Sequence, residues 1–311
     1  MHISILVVNW NGEEFLRKCL DSVVNAAKES KHKCSVIVVD NDSKDRSIEY
    51  VKENFPEVRL IENESNRSFC SYNRVVERLD CEIVILLNND LKVDKHFIDP
   101  LVAPFEGEED LFFTASKCYD FDEVNKTYSG SKTRIKLKWG ILYGDARYPG
   151  HEKFIDQKGY TLSTGFGAFD RKKYVELGGY DDLYLPGRVE DIDLCYRGWK
   201  RGWKAYYIPE SVVYHIGQAT YHKMYGVSRT YVITHRNGFL FVWKNITDMR
   251  LILGEHLFLL FPRLIFSMFK GDFAFILGFL EALKFLPAAL KRRMSVKPAF
   301  NKRDKEIMDL V

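Results

Sequence analysis

Two acids stand where short apolar runs stop. Asp40 closes Cys34-Ser-Val-Ile-Val-Val, and Asp90 closes Cys81-Glu-Ile-Val-Ile-Leu-Leu-Asn-Asn. Runs of that length, rich in Val and Ile, read as buried strands of a parallel sheet. Ligands of open α/β sheets bind in the crevice beyond the carboxyl ends of the strands. Two carboxylates delivered to that edge are badly placed for stability and well placed for a ligand. The glycine-rich loops GxGxxG and GxxxxGK[ST] are both missing, so a nucleotide bound here is not cradled by such a loop. Acids at the phosphate end suggest a bridging divalent cation instead.

The elements that must position these acids alternate over the first ninety residues. Ile3 to Val8 reads as a strand, and Glu13 to Ala27 has helical spacing in Phe15, Cys19, Leu20, Val23 and Val24. A strand from Val36 to Asp40 follows, then a helix to about Asn54 that Ser43 could cap. Val58–Ile61 and Ile83–Leu87 are further strands, with a helical stretch from Tyr72 to Leu79 between them. That order predicts an α/β fold with a parallel, helix-covered sheet. The segment from Phe105 to Gly159 gives no clear pattern. Signals return at the Gly-rich Ser163-Thr-Gly-Phe-Gly, at Gly178-Gly-Tyr-Asp-Asp, at Val189-Glu-Asp-Ile-Asp-Leu-Cys, and along Tyr206 to His215.

The chain has 311 residues, 46% hydrophobic and 14% aromatic, enough for a sizeable core in one large domain or two small ones. A net charge of +3 is too small to imply nucleic-acid binding, and none is expected. Six cysteines are scattered without a CxxC pair, and the N-terminal stretch lacks the marks of a signal peptide, so a reducing, cytoplasmic setting is expected.

Beyond about Arg250 the composition shifts. Leu257–Pro262, Leu264–Phe269 and Phe273–Leu280 are almost wholly apolar, cut by Arg263, Lys270, Asp272 and Glu281. No uncharged apolar run approaches the roughly 18–20 residues of a spanning helix. Lys284, Lys291, Arg292, Arg293 and Lys297 follow. The pattern suits helices lying in a membrane interface near anionic headgroups. Core helices or an oligomer contact fit it too. The expected division is a catalytic domain over 1–220 and a helical, membrane-associating region over 221–311.

In this order, the pieces resemble glycosyltransferase family 2, inverting nucleotide-sugar transferases with the A-type fold, a Rossmann-like nucleotide-binding sheet. The resemblance covers roughly residues 3 to 220 and is nearest to a rhamnosyltransferase-like subgroup of cell-surface polysaccharide assembly. It rests on Val7-Val-Asn-Trp-Asn-Gly12, Val38-Val-Asp-Asn-Asp-Ser43, Leu86-Leu-Asn-Asn-Asp90, the Gly178 and Glu190 segments, and Pro209 through His215. Each motif alone is weak; together and in order they are specific.

The resemblance implies roles. Asp40 would hydrogen-bond a uracil or thymine ring, although helix capping explains an acid there too. Asn9, Asn11, Asn41, Asn66, Asn73, Asn88 and Asn89 would contact the donor, with Ser68 and Cys70 departing from the family's Asn-x-Gly-Phe pattern beside Phe69. Asp90 would hold Mg²⁺ or Mn²⁺, aided by His215 as a neutral imidazole; the motif here is Asn88-Asn-Asp rather than Asp-x-Asp. Asp191 would be the catalytic base, at a helix start that favours an ionised carboxylate. Glu190, Thr164 and Gly165 would border the acceptor, or the last two would be a simple turn. Trp139, Tyr143, Trp199 and Trp203 could stack on sugars or pack in the core.

The implied protein is a peripheral enzyme on the cytoplasmic face of the cell membrane, in cell-envelope polysaccharide biosynthesis. It would move a hexosyl or deoxyhexosyl group from a UDP- or dTDP-sugar to a lipid-linked or growing saccharide, possible as a homo-oligomer. A nucleotidyltransferase would need a glycine-rich, basic N-terminal loop, which Asn9-Trp-Asn-Gly lacks. A degenerate nucleotide-sugar-binding scaffold is the other rival; Asn88 leaves it room, and Glu190-Asp191 with His215 argue against it.

Overall fold

A computed structural model describes residues 1–121, 127–130, 132–163, 165–216 and 224–310. Thr164 and the expected division at 220/221 lie outside the described residues. The opening alternation is β1 (His2–Asn9), α1 (Glu13–Glu29), β2 (Lys33–Asp40), α2 (Ser47–Asn54), β3 (Arg59–Glu62), α3 (Ser71–Arg78) and β4 (Ile83–Asn88). These four strands are parallel in the order β3-β2-β1-β4. The chain reverses direction across the sheet between β1 and β4, and that switch point opens the ligand crevice. α2 begins three residues later than a Ser43 cap would give, with Arg46 at its N-cap, because Ser43 is drawn into hydrogen bonds with Asp40.

After β5 (Leu91–Val93) and α4 (Ile98–Val102), the sheet is extended by later strands. These are β6 (Leu111–Asp120), β7 (Tyr128–Gly130), β10 (Gly159–Tyr160), β11 (Gly167–Asp170) and β12 (Lys204–His215). β11 inserts antiparallel between β4 and β6, and β12 lies parallel to β6. The register of β12 slips between Ile208 and Val212, around Pro209, which cannot donate to a ladder. β8 (Arg134–Lys138) and β9 (Ile141–Asp145) form a separate hairpin. This resolves the segment that sequence patterns left unread.

Side chains alternate faces along a strand, so the sheet divides the core in two. Ile5, Val7, Val38, Ile85 and Leu87 meet α1 through Leu16, Leu20 and Val23 on one face. Leu6, Ile37, Val39, Val84 and Leu86 belong to the other core, with Val75 and Val76 of α3 and Leu194 of α6 (Glu190–Lys200). α5 (Arg171–Glu176) joins that side through Tyr174.

The C-terminal helices share this second core. α7 (Val227–Asn245) contributes Phe239, Leu240, Phe241 and Val242; a π-helix at Leu251–Phe258 runs into α8 (Leu259–Lys270), which contributes Leu260. α9 (Phe273–Val296) contributes Phe275, Ala282 and Ala289, and α10 (Asp304–Met308) adds Ile307. α9 lies close on α7: a Cβ on Gly278 would come within 2.6 Å of the His235 Cβ. The stretches Leu251–Lys270 and Phe273–Ala299 are long and apolar enough to cross a membrane by length and composition, with only 17% and 22% of their apolar windows buried. Sequence runs broken at Arg263 and Glu281 concealed this, because both helices continue through those charges. Phe258, Phe261, Met268, Phe269 and Phe273 are exposed on them.

Candidate active site

A cavity of about 860 Å³ opens at the carboxyl edge of the sheet. Its floor is the end of β1 (Val8, Asn9, Trp10) and of β4 (Asn88, Asn89, Asp90), with Asn41, Asn66, Ser68 and Phe69 on one side. Gly165, Phe166, Glu190, Asp191 and His215 face them, and Ile141–Gly144 of β9 with Thr234 and His235 of α7 complete the far wall.

Sheet pairing brings the metal-ligand candidates together. β5 follows Asp90 directly and pairs antiparallel with β12, setting His215 opposite Leu91. His215 Nε2 is thereby 3.2 Å from Asp90 Oδ2. Asp90 Oδ1 is buried without a hydrogen-bond partner. A bare carboxylate oxygen beside an imidazole nitrogen fits a divalent cation whose remaining positions come from phosphate oxygens and water. Among the described residues no cluster of three His, Cys, Asp or Glu is present, so these two would be its only such ligands.

Asp191 sits in the first turn of α6 and accepts a hydrogen bond from Ser163 Oγ at 2.7 Å. Antiparallel pairing of β11 with β4 carries the preceding Ser163, Gly165 and Phe166 past the end of β4 and so to this helix. Ser163 was not singled out in the sequence, although its Gly-rich stretch was. Glu190, one residue before, is 8% exposed, and its Oε2 has no hydrogen-bond partner. Burial, then the neighbouring Asp191 charge, pushes the Glu190 carboxyl up to about 8. The two adjacent acids thus have different surroundings, and Asp191 is the one with a donor in place.

Of the expected donor contacts, Asn41, Asn66, Asn88 and Asn89 line the cavity and three residues do not serve as expected. Asp40 is fully buried and accepts from Asn9 Nδ2 (2.8 Å), the Ser43 amide (2.8 Å) and Ser43 Oγ (2.7 Å). Its carboxylate anchors the 41–43 turn and turns no oxygen to the cavity, a correction to the base-contact expectation. Asn73 is also corrected. Its amide accepts from the Tyr180 amide (2.9 Å) and Tyr174 hydroxyl (2.8 Å) and donates to the Tyr180 carbonyl (2.8 Å), fastening α3 to the 179–180 turn. Gly179, at φ +66°, is required there, since a Cβ would lie 2.2 Å from Asn73 Oδ1. Asn11 caps the Lys44 amide (2.6 Å) outside the cavity. Asn9 reaches the cavity but spends its amide on Asp40 and on Asn89 (2.7 Å). Trp199 is core, donating to the Thr161 carbonyl, whereas Tyr143 lines the cavity.

Sequence reasoning placed α7 in the helical region beyond 221 and missed its part in the site. Lys244 is buried and bonds Asp181 (2.7 Å) and Asp193 (2.7 and 2.8 Å). Burial works against ionisation of Asp193, yet the Lys244 and Arg197 charges outweigh it and hold this carboxyl below the usual range. Asn237 donates to three carbonyls of the turn before α6. The readable signal was polar residues at Asn237 and Lys244, seven apart on one helix face within an apolar stretch.

Comparison with known proteins agrees with this sheet. The pattern of glycosyl transferase family 2 matches residues 4–178. N-acetylgalactosaminyltransferase 7 of Drosophila melanogaster is 24% identical over 230 residues, 68% of this chain and 38% of that protein. A dolichyl N-acetyl-α-D-glucosaminyl phosphate 3-β-D-2,3-diacetamido-2,3-dideoxy-β-D-glucuronosyltransferase of Methanococcus voltae is 22% identical over 68% of this chain and 65% of its own length. The chain spans little more than a third of the Drosophila relative. Among solved structures, GalNAc-T7 with UDP, GalNAc and Mn²⁺ superposes with a TM-score of 0.60 at 20% identity, over 78% of this chain and 48% of that one. S. aureus TarS 1–349 gives 0.57 at 17% identity, over 95% and 83%. These likenesses establish the A-type glycosyltransferase fold. With the family pattern running through more than half of its residues, the chain belongs to glycosyl transferase family 2.

Proposed function

We propose that the protein is an inverting, metal-dependent glycosyltransferase moving a hexosyl or deoxyhexosyl group from a nucleoside-diphosphate sugar to a hydroxyl of a lipid-linked or growing saccharide. The observation that carries this reading is the convergence of Asp191 and the Asp90–His215 pair on one cavity. Asp90 and His215 would hold the divalent cation, which when bound neutralises charge developing on the leaving diphosphate. Asn66, whose amide can both donate and accept, would read the uracil or thymine edge in place of Asp40.

Ser163 occupies Oδ2 of Asp191, so Oδ1 is the oxygen that takes the acceptor's proton. The acceptor oxygen bonds to the anomeric carbon as the bond from that carbon to the diphosphate oxygen breaks. The electron pair leaves with the nucleoside diphosphate, and in-line attack inverts the configuration. The reading needs no protein nucleophile.

Lipid linkage and a peripheral place on a membrane are supported by the far wall of the cavity, whereas the cytoplasmic face is inferred from the six unpaired cysteines alone. The turn joining β8 and β9 is fastened to the π-helix, where His256 bonds the Gly140 carbonyl and accepts from Trp243 Nε1 at 2.9 Å. His235 stacks edge-on against Phe275 of α9, 5.3 Å between ring centres. The acceptor wall therefore rests on the helices that expose Phe258, Phe261 and Phe269. Because α9 is seated along α7, a helix lying in the interface suits it better than one that leaves the core to span. A rhamnosyltransferase-like role in polysaccharide assembly is supported by the short motifs alone.

The test is calorimetric titration of UDP, dTDP and GDP into the protein with Mn²⁺ and then with EDTA. Metal-dependent binding of one diphosphate is expected. Folded protein that binds none of the three in either condition overturns the reading.

A further inference from the structure

The turn that delivers Asp191 is held in an unusual backbone conformation. Arg188 and Val189 both lie at φ +74°, in the left-handed region. A β-branched residue is poorly suited to that region, and such outliers persist only where the surroundings over-determine them. α6 begins at the next residue, and Asp191 is its second.

What over-determines the turn is α7. Asn237, wholly buried, directs its Nδ2 at the carbonyls of Tyr184 (2.8 Å), Gly187 (2.7 Å) and Arg188 (2.8 Å). Its Oδ1 accepts from Arg236 Nε at 2.9 Å, and Arg236 in turn donates to the Leu185 carbonyl. Four carbonyls between 184 and 188 thus end on two adjacent side chains of one helix. The turn's own backbone contributes the bond from the Gly187 amide to the Tyr184 carbonyl at 2.9 Å, the Tyr184 and Leu185 amides reach back to the Asp181 (3.3 Å) and Asp182 (3.2 Å) carbonyls, and the first helical bond runs from Asp193 to Val189. An amide nitrogen is suited to this task, since it only donates and the three carbonyls only accept.

We propose that Asn237 is a positioning residue for glycosyl transfer, holding the strained 184–189 turn so that Asp191 meets the acceptor hydroxyl in line. The proposal rests on the reading of Asp191 as the base. Its physical content is that reacting groups displaced by about 1 Å can lose on the order of a hundredfold in rate, with binding elsewhere untouched.

The experiment compares Asn237→Ala, Asp191→Asn and their combination in the full chain, measuring kcat for transfer, UDP affinity in Mn²⁺ and melting temperature. Asn237→Ala is expected to lower kcat by about 10- to 100-fold while UDP affinity holds within about twofold. In the Asp191→Asn background it is expected to do nothing further, because residues acting through one another are non-additive. An unchanged kcat, or a full additional loss in the Asp191→Asn background, overturns the proposal. If Asp191→Asn alone keeps the wild-type rate, the base reading fails, whatever Asn237→Ala does. Should Asn237→Ala not fold, Val189→Gly is added, since glycine adopts φ +74° without strain. The double variant is then expected to fold and stay slow. Wild-type kcat in that variant, or failure of both to fold, assigns Asn237 a purely structural part and overturns the proposal.

Discussion

Glu190 should make the protein's stability fall as pH rises, and Glu190→Gln should remove that fall. Burial and the adjacent Asp191 charge raise the folded carboxyl to about 8 from an ordinary 4.5, with Arg188 pulling weakly the other way. Below about pH 4.5 the acid is protonated in both folded and unfolded chains and costs nothing. As pH rises, the unfolded chain releases the proton while the folded chain retains it, so stability drains away until about pH 8. At pH 7 the unfolded chain is about 2.5 pH units past its midpoint, and at about 1.36 kcal/mol per unit the buried acid costs roughly 3 kcal/mol. At pH 5 the same cost is under about 1 kcal/mol. Glutamine keeps the shape and cannot ionise. Urea unfolding at pH 5, 6, 7 and 8 should therefore show the variant gaining on the wild type by about 2 kcal/mol between pH 5 and 7. Parallel pH profiles for the two proteins would refute a neutral, buried Glu190 and place its carboxylate in water.

Asp90→Asn and His215→Ala should each weaken UDP binding in Mn²⁺ by about tenfold or more, about 1.4 kcal/mol, and leave binding in EDTA as it is in the wild type; calorimetry that finds equal losses in both conditions removes the pair from the metal. Asp304 is fully buried and accepts from Tyr196 (2.6 Å), Lys200 (2.9 Å) and the amides of Thr247 (2.7 Å) and Asp248 (2.6 Å). Asp304→Ala strands the Lys200 charge in the core and should cost about 3–5 kcal/mol by chemical denaturation; a loss under about 1 kcal/mol contradicts the pairing. Phe261 and Phe269 are 70% and 87% exposed. Replacing both with Glu should lower sedimentation with anionic vesicles by roughly a hundredfold in affinity, from about 1.5 kcal/mol per ring, with an unchanged melting temperature. Unchanged vesicle binding alongside loss of a dimer would assign the face to a second copy of the chain.

The legible parts were those coded locally. β1, β2 and β4 announce themselves because strands buried on both faces need unbroken runs such as Ile3–Val8 and Ile83–Leu87, and their order along the chain implies the parallel sheet. β6 was not legible, although Leu111-Phe-Phe-Thr-Ala is as apolar, because its neighbours β11 and β12 are drawn from residues far downstream. The hairpin of β8 and β9 hid for a related reason: its apolar residues Ile135, Ile141 and Leu142 gain their burial from the C-terminal helices.

At the site, residue type and spacing singled out Asp90 as a strand-end acid, and the family resemblance nominated Asp191, His215 and Glu190. Sequence could not decide what each side chain touches. Asp40 looked like Asp90 as a strand-end acid, yet the β1–β2 register sets Asn9 beside it, and Asn9 and Ser43 consume its oxygens. Asn237 and Lys244 offered only their polar spacing within an apolar stretch, and Arg236 not even that, because only packing of α7 against the turn before α6 buries them there. Periodicity and local preference coded the first four parallel strands, the helices between them and the acids at their ends. Tertiary structure alone decided which acids face the cavity, which are spent as internal anchors, and that a helix beyond residue 226 braces the turn before Asp191. Those outcomes depend on pairings between distant segments, and no local pattern encodes them.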